Sequence, residues 1–249
     1  MWREKPRGVR DGRLVLGAIS LLLFAASAQS VDEPLHERID SLIESASIGP
    51  LAEPGADAEF LRRLSLDLRG IIPTVDETRE FLADESEAKR AAWADRFLGA
   101  PEYPRHMADV FDVMLMERRR DTHIKTDEWK QYLRASFEQN KPYNTLVKEI
   151  LSADGTDDKL RPAARFLLER TVEPNLMTRH IGRICFGRDF QCNQCHDHPL
   201  IADYLQSDYY GLYAFVDRSY LFTDKKHKNK VFVAEKPDSV VKFQSVFDP

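Results

Sequence analysis

The sequence predicts a mainly α fold, a multi-helix domain with a short β extension at its C-terminus. Three observations predict it. Apolar residues recur at helical spacing from about residue 33 to 216, helix start and stop residues punctuate those runs, and short β-rich runs take over after residue 217. With 249 residues, 43% of them hydrophobic and 31% charged, the chain can bury one sizeable core or two small ones. That composition excludes a collagen, a low-complexity polymer and a polytopic membrane protein.

Residues 1–28 read as a secretory signal. Arg3, Lys5, Arg7, Arg10 and Arg13 make a basic n-region, Leu14 to Ala26 is an apolar run, and Ala26-Ser27-Ala28 is an A-x-A cleavage site. The apolar run falls short of the roughly 20 residues a transmembrane helix needs, so no stable membrane span is expected unless the signal stays uncleaved as an anchor. Either way residues 29 onward are expected outside the cytoplasm, periplasmic or secreted. The leader takes five of the 36 basic and two of the 41 acidic residues, which leaves the remainder at a net charge of −8. An acidic export product lacks the basic footprint of a nucleic-acid binder.

Residues 29–216 form the expected helical domain. Phe60, Leu61, Leu64 and Leu68 mark a helix that Gly70 ends, and Thr74-Val75-Asp76-Glu77 is a capping box opening a helix with Val75, Phe81 and Leu82. Further stripes are Met107, Val110, Phe111 and Met114; Trp129, Tyr132, Leu133 and Phe137; and Leu146, Val147, Ile150 and Leu151. A helix from Pro174 to about Gly187 carries Leu176, Met177, Ile181, Ile184 and Cys185, with His180 among them. Phe190 to Pro199 is a loop or one short turn, and a last helix covers about Ser207 to Val216 with Tyr209, Leu212, Tyr213 and Phe215. Residues 217–249 hold three short strands, at Tyr220–Phe222, Val231–Val233 and Val240–Phe243. They are expected to begin a region that continues in a longer protein. The basic runs Glu117–Asp121 and Lys225–Lys228 read as a solvated helix end and a turn between strands.

The chemistry concentrates in one pentapeptide, Cys192-Asn193-Gln194-Cys195-His196, which holds two of the three cysteines. C-x-x-C-H is the attachment signature of haem c: two thiols three residues apart reach both vinyl groups on one porphyrin edge, and the adjacent imidazole reaches the iron as axial ligand. The cofactor-binding candidates are therefore Cys192, Cys195 and His196, with Met177 or His180 as the candidate second axial ligand. Other readings stay open. The two thiols can form a disulfide in an oxidising compartment. Cys192, Cys195 and His198, with Cys185 or His196, can hold zinc. His196, Asp197 and His198 can act as acid and base or bind a metal. No Gly-rich phosphate loop, H-E-x-x-H or G-x-S-x-G is present, which disfavours nucleotide-dependent and serine-hydrolase functions.

Four segments carry a family resemblance: Phe60-Leu61-Arg62-Arg63-Leu64-Ser65-Leu66-Asp67-Leu68-Arg69-Gly70-Ile71-Ile72-Pro73-Thr74; Pro101-Glu102-Tyr103; Phe190-Gln191-Cys192-Asn193-Gln194-Cys195-His196-Asp197-His198-Pro199; and Asp208-Tyr209-Tyr210-Gly211-Leu212. Over about residues 33–220 the chain resembles an exported domain of unknown function of planctomycetes and verrucomicrobia, often labelled planctomycete cytochrome-type. The resemblance implies Cys192, Cys195 and His196 as site residues, Asp197, His198 and Pro199 as their fixed neighbours, and Cys185 as a core thiol at a place where relatives usually show an apolar residue. Two functions follow as expectations. One is an extracytoplasmic haem-c electron-transfer module meeting a redox partner protein. The other is a non-haem structural or binding module of a larger exported protein, stapled by a disulfide or a metal at Cys192 and Cys195.

Overall fold

The computed structural model describes residues 34–226 and 228–242. The expected signal segment, His227 of the basic turn and Phe243 of the third expected strand lie outside the described residues. The chain divides into two compact units, residues 1–54 and 55–249. In the first, the described residues 34–54 hold helix α1 (Leu35–Ala46), which buries none of its residues; Leu35, Ile39, Leu42 and Ile43 form an exposed apolar stripe. No described helix is long and apolar enough to cross a membrane.

The second unit begins with α2 (Asp57–Arg69), α3 (Val75–Ala83) and α4 (Lys89–Leu98), which enclose a small core of Leu61, Phe81, Trp93 and Phe97. Gly70 closes α2 in the left-handed region at φ 72°, as a stop residue without a Cβ readily does. The Thr74–Glu77 capping box forms with both of its hydrogen bonds. Glu77 also takes Arg69, which is 7% exposed and stacks on the Phe97 ring at 3.8 Å, so one carboxylate ties the start of α3 to the end of α2.

The larger core is built by α5 (Glu102–Met116), α6 (Thr126–Glu138), α7 (Tyr143–Ser152), α8 (Arg165–Leu168) and α9 (Pro174–Phe186) around Trp129, Leu133, Phe166, Leu168 and Met177. The α5 stripe differs from the one its sequence predicts. Its buried face runs through Pro104, Ala108, Leu115 and Met116, while Val110 and Met114 are 42% and 39% exposed. Docking on α6 decides the face: Asp112 accepts from Trp129 Nε1 at 3.0 Å and Asp109 pairs with Lys130, and these polar contacts rotate Val110 and Met114 outward. Val75 and Leu82 of α3 are likewise exposed, and Phe81 alone of the predicted three is buried. Arg170 is buried where α5 and α8 end. It donates to the Leu115 and Phe166 carbonyls, so helix-end dipoles and not a carboxylate face its charge.

Helix α10 (Gln206–Val216) and a hairpin of β1 (Ser219–Asp224) and β2 (Lys230–Glu235) complete the unit. The strands pair antiparallel with Phe222 opposite Phe232; Leu221, Val231 and Val233 pack on the larger core, and Val233 N donates to Asp154 O. Lys225 and Lys226 open the connecting turn, as the charge pattern predicts, and Lys228 and Asn229, both at positive φ, close it. The third strand does not form over residues 240–242. Val240 is 80% exposed, and an apolar run with no ladder partner among the described residues gains nothing by extending.

Candidate functional site

The C-x-x-C-H segment hangs between α9 and α10, and local chemistry sets its path. Glu173 caps α9 by accepting from the Asn175 and Leu176 amides, and Gly187 ends it in the left-handed region. The chain then doubles back so that Phe190 lies against Gly182, where any Cβ would meet the Phe190 ring at 2.3 Å. Phe190 is 4% exposed and meets Tyr209 of α10 edge-on. From this anchored ring the backbone makes one helical turn: the amides of Cys195 and His196 both donate to the Cys192 carbonyl, at 3.2 and 3.3 Å.

The two intervening residues hold that turn down. Asn193 is fully buried and its Nδ2 donates to Tyr204 O at 2.5 Å, while Gln194 Nε2 donates to Asn175 Oδ1 on α9. Tyr209 OH donates to the same Asn175 oxygen at 2.7 Å, and Tyr210 OH donates to the Gln194 carbonyl. With these two pegged, Cys192 is left half-buried and Cys195 exposed, both as free thiols.

His196 Nδ1 lies 2.6 Å from the Asp197 carbonyl. A carbonyl oxygen can only accept, so Nδ1 carries the proton and Nε2 of the neutral ring carries the lone pair. This is the tautomer a metal-ligating imidazole adopts when its second nitrogen is held by a backbone carbonyl. Asp197 and His198 are spent on the loop. Asp197 Oδ1 accepts from the Gln206 amide at the start of α10, and His198 Nδ1 accepts from the amides of Leu200 and Ile201. Each of the two thus gives one side-chain atom to holding the loop.

The remaining sequence candidates lie apart from the motif. Met177 is fully buried in the larger core. His180 Nδ1 accepts from Arg170 Nε at 3.0 Å; burial, then the charges of Arg170, Arg119 and Arg179, pull its pKa down to about 4. Glu117 Oε2 is 3.3 Å from the same nitrogen, but with the ring neutral that approach is no ion pair, and Arg183 and Arg119 hold the carboxylate instead. Cys185 packs at the edge of the core, and burial pushes its thiol pKa up. Among the described residues no three His, Cys, Asp or Glu side chains gather as a metal site, so Cys192, Cys195 and His198 are not brought together as zinc ligands.

The donor set suits covalent haem attachment: two uncrosslinked thiols on one turn and an imidazole with its lone pair on Nε2. A depression of about 580 Å³ beside the loop is lined by Phe186, Phe190, Gly211 and Leu212 together with Arg188, Ser207 and Asp208, and none of the three motif donors lines it. The anchors of the loop, Asn175, Asn193, Gln194, Tyr204 and Tyr209, escape sequence reasoning, because polar residues far apart in the chain leave no periodic trace. Asn193 Oδ1 and Gln206 Oε1 are buried without a partner in the same layer.

No curated protein and no solved structure matches the chain. A family model matches residues 34–220, from α1 to the first residues of β1 and across the whole C-x-x-C-H segment, and by that match the chain belongs to the family PSCyt2, described as "Protein of unknown function (DUF1549)".

Proposed function

We propose that Cys192, Cys195 and His196 attach a c-type haem, and that the chain is an extracytoplasmic electron-transfer module exchanging electrons with a redox partner protein. The observation that carries this reading is the His196 tautomer, Nδ1–H on the Asp197 carbonyl and the lone pair on Nε2, one residue from an exposed thiol on a single helical turn. The leader pattern of residues 1–28 supports export, the compartment in which haem c is attached. In this reading Cys192 and Cys195 hold the group, His196 Nε2 is its protein ligand, and Asn193 and Gln194 keep the turn fixed so that both thiols stay on one side. A bound haem would supply one-electron transfer.

Expression of the full chain in a host able to attach haem c tests the reading. The expected result is a visible haem spectrum and a mass adduct that survives denaturation and is lost when Cys192 and Cys195 are both changed to Ser. A colourless chain without an adduct overturns it.

One observation favours a second reading, a non-haem structural or binding module. Met177 is in the core and His180 Nδ1 is taken by Arg170, so neither stands ready as a second ligand. In that reading Cys192 and Cys195 staple the loop. An intact mass lower by one pair of hydrogens would identify a disulfide, and bound zinc lost in Cys192→Ser would identify a metal staple.

A further inference from the structure

A second polar cleft, of about 180 Å³, opens on the other side of the residues leading into the motif. It is lined by Arg179, His180 and Arg183 of α9 and by Asp189 and Gln191. Its chemistry is that of hydrogen-bond donors. Because His180 Nδ1 accepts from Arg170, the neutral ring carries its proton on Nε2 and can only donate from there. Arg179 has no carboxylate within ion-pair distance among the described residues; its Nε donates to the Asn175 carbonyl and its terminal nitrogens are unclaimed. Asp189, the one carboxylate in the lining, is turned to its own loop, where Oδ1 accepts from the Gln191 amide.

The surroundings add positive potential. Arg170, buried behind His180, faces helix-end carbonyls and no carboxylate, and Arg119 lies close enough to His180 to disfavour its protonation. Glu117 offsets part of this by pairing with Arg183 and Arg119. Arg179 and Arg183 line the cleft against Asp189; behind the lining, Arg170 and Arg119 stand against Glu117, and Glu173 acts on Arg179. Backbone strain lies in the turns that carry Glu117 and follow Arg170. Glu117 and Arg118 are consecutive left-handed residues, as are Thr171 and Val172, and a β-branched residue rarely adopts that conformation.

We infer that this cleft binds a small oxyanion of phosphate or sulfate size, held by Arg179, Arg183, the Nε2–H of His180 and the side-chain amide of Gln191. The site is independent of what Cys192 and Cys195 carry. Guanidinium groups suit such a ligand because their planar forks match its oxygens in pairs. The motif's His196 and His180 of α9 thus hold opposite tautomers for opposite tasks: His196 offers a lone pair, His180 a proton.

Calorimetry on the full chain with inorganic phosphate, inorganic sulfate and phenyl phosphate, each titrated separately, tests the inference. The expected result is saturable one-to-one binding of at least one of them, weakened about tenfold or more in Arg179→Gln, partly restored in Arg179→Lys, and unchanged in Arg134→Gln, a distant surface control. Binding weakens as ionic strength rises. Tighter binding of phenyl phosphate than of inorganic phosphate would mark the ligand as a monoester, and the reverse order a free anion; either supports the site. No saturable binding at millimolar concentrations, or equal binding by wild type and a folded Arg179→Gln chain, overturns it.

Discussion

At Gly182 a single missing Cβ decides where the motif goes. The Phe190 ring occupies the space that a side chain would need, and that ring sets the direction in which the backbone enters Cys192. Gly182→Ala is expected to cost about 1–3 kcal/mol in chemical denaturation, through overpacking that must push Phe190 off α9. Asn175 is a second such residue, since one side-chain oxygen takes both Gln194 and the fully buried Tyr209 hydroxyl. Asn175→Ala should cost about 1–3 kcal/mol, because it strands a buried donor, whereas Tyr209→Phe should cost less. A Tyr209→Phe variant as unstable as Asn175→Ala would show that the hydroxyl, and not the shared oxygen, is the anchor.

At the scale of elements, the α2–α3 junction stores a pH dependence. The hydrogen-bonded Arg69 guanidinium lowers the Glu77 pKa to about 2, helped by the Thr74 backbone and opposed by burial. A depressed folded pKa means the stabilisation is fully present above the unfolded value near 4.5 and is lost as pH falls through the folded value of about 2. The shift alone corresponds to about 3 kcal/mol at neutral pH, and solvent screening of the pair at the domain surface reduces this to about 1–2 kcal/mol. Replacing Glu77 by Gln should lower neutral stability by about that amount and flatten the acid limb of a stability-against-pH curve; an unchanged limb would refute the assignment. This junction was legible in the sequence, because a capping box needs only residues three apart and a stop glycine only one. The faces of α5 and α3 were less so. Val110, Met114, Val75 and Leu82 are apolar at plausible spacing, yet the buried side is chosen by partners such as Trp129, which meets Asp112 from another helix. The C-x-x-C-H segment could be located from spacing alone. What holds it could not be, since Gln194 meets Asn175 and Asn193 meets Tyr204 only in the folded chain.

Considered whole, the larger unit has two cores of unequal size, one built by α2, α3 and α4 and the other by α5 to α9 with the hairpin. Phe81 sits fully buried at the centre of the smaller one, between Phe60 and Trp93. Phe81→Ala is expected to cost about 3–5 kcal/mol. In native-state hydrogen exchange it should lower protection in α3 and α4 before α5–α9, since their core is a separate cluster, with α2, which also packs on α5, in between. A uniform loss of protection across both groups of helices would show a single cooperative unit instead.

The unequal exposure of the three thiols gives the chain a built-in order of chemical reactivity. Cys195 is open to solvent, Cys192 is half-covered, and Cys185 is held at the edge of the core with its ionisation suppressed by burial. A limiting dose of an alkylating reagent such as iodoacetamide should therefore label the folded, reduced and haem-free chain at Cys195 first, at Cys192 next and at Cys185 only as the core loosens. Peptide mapping against denaturant concentration would then read the local integrity of the α9–α10 loop and the global integrity of the core from one molecule.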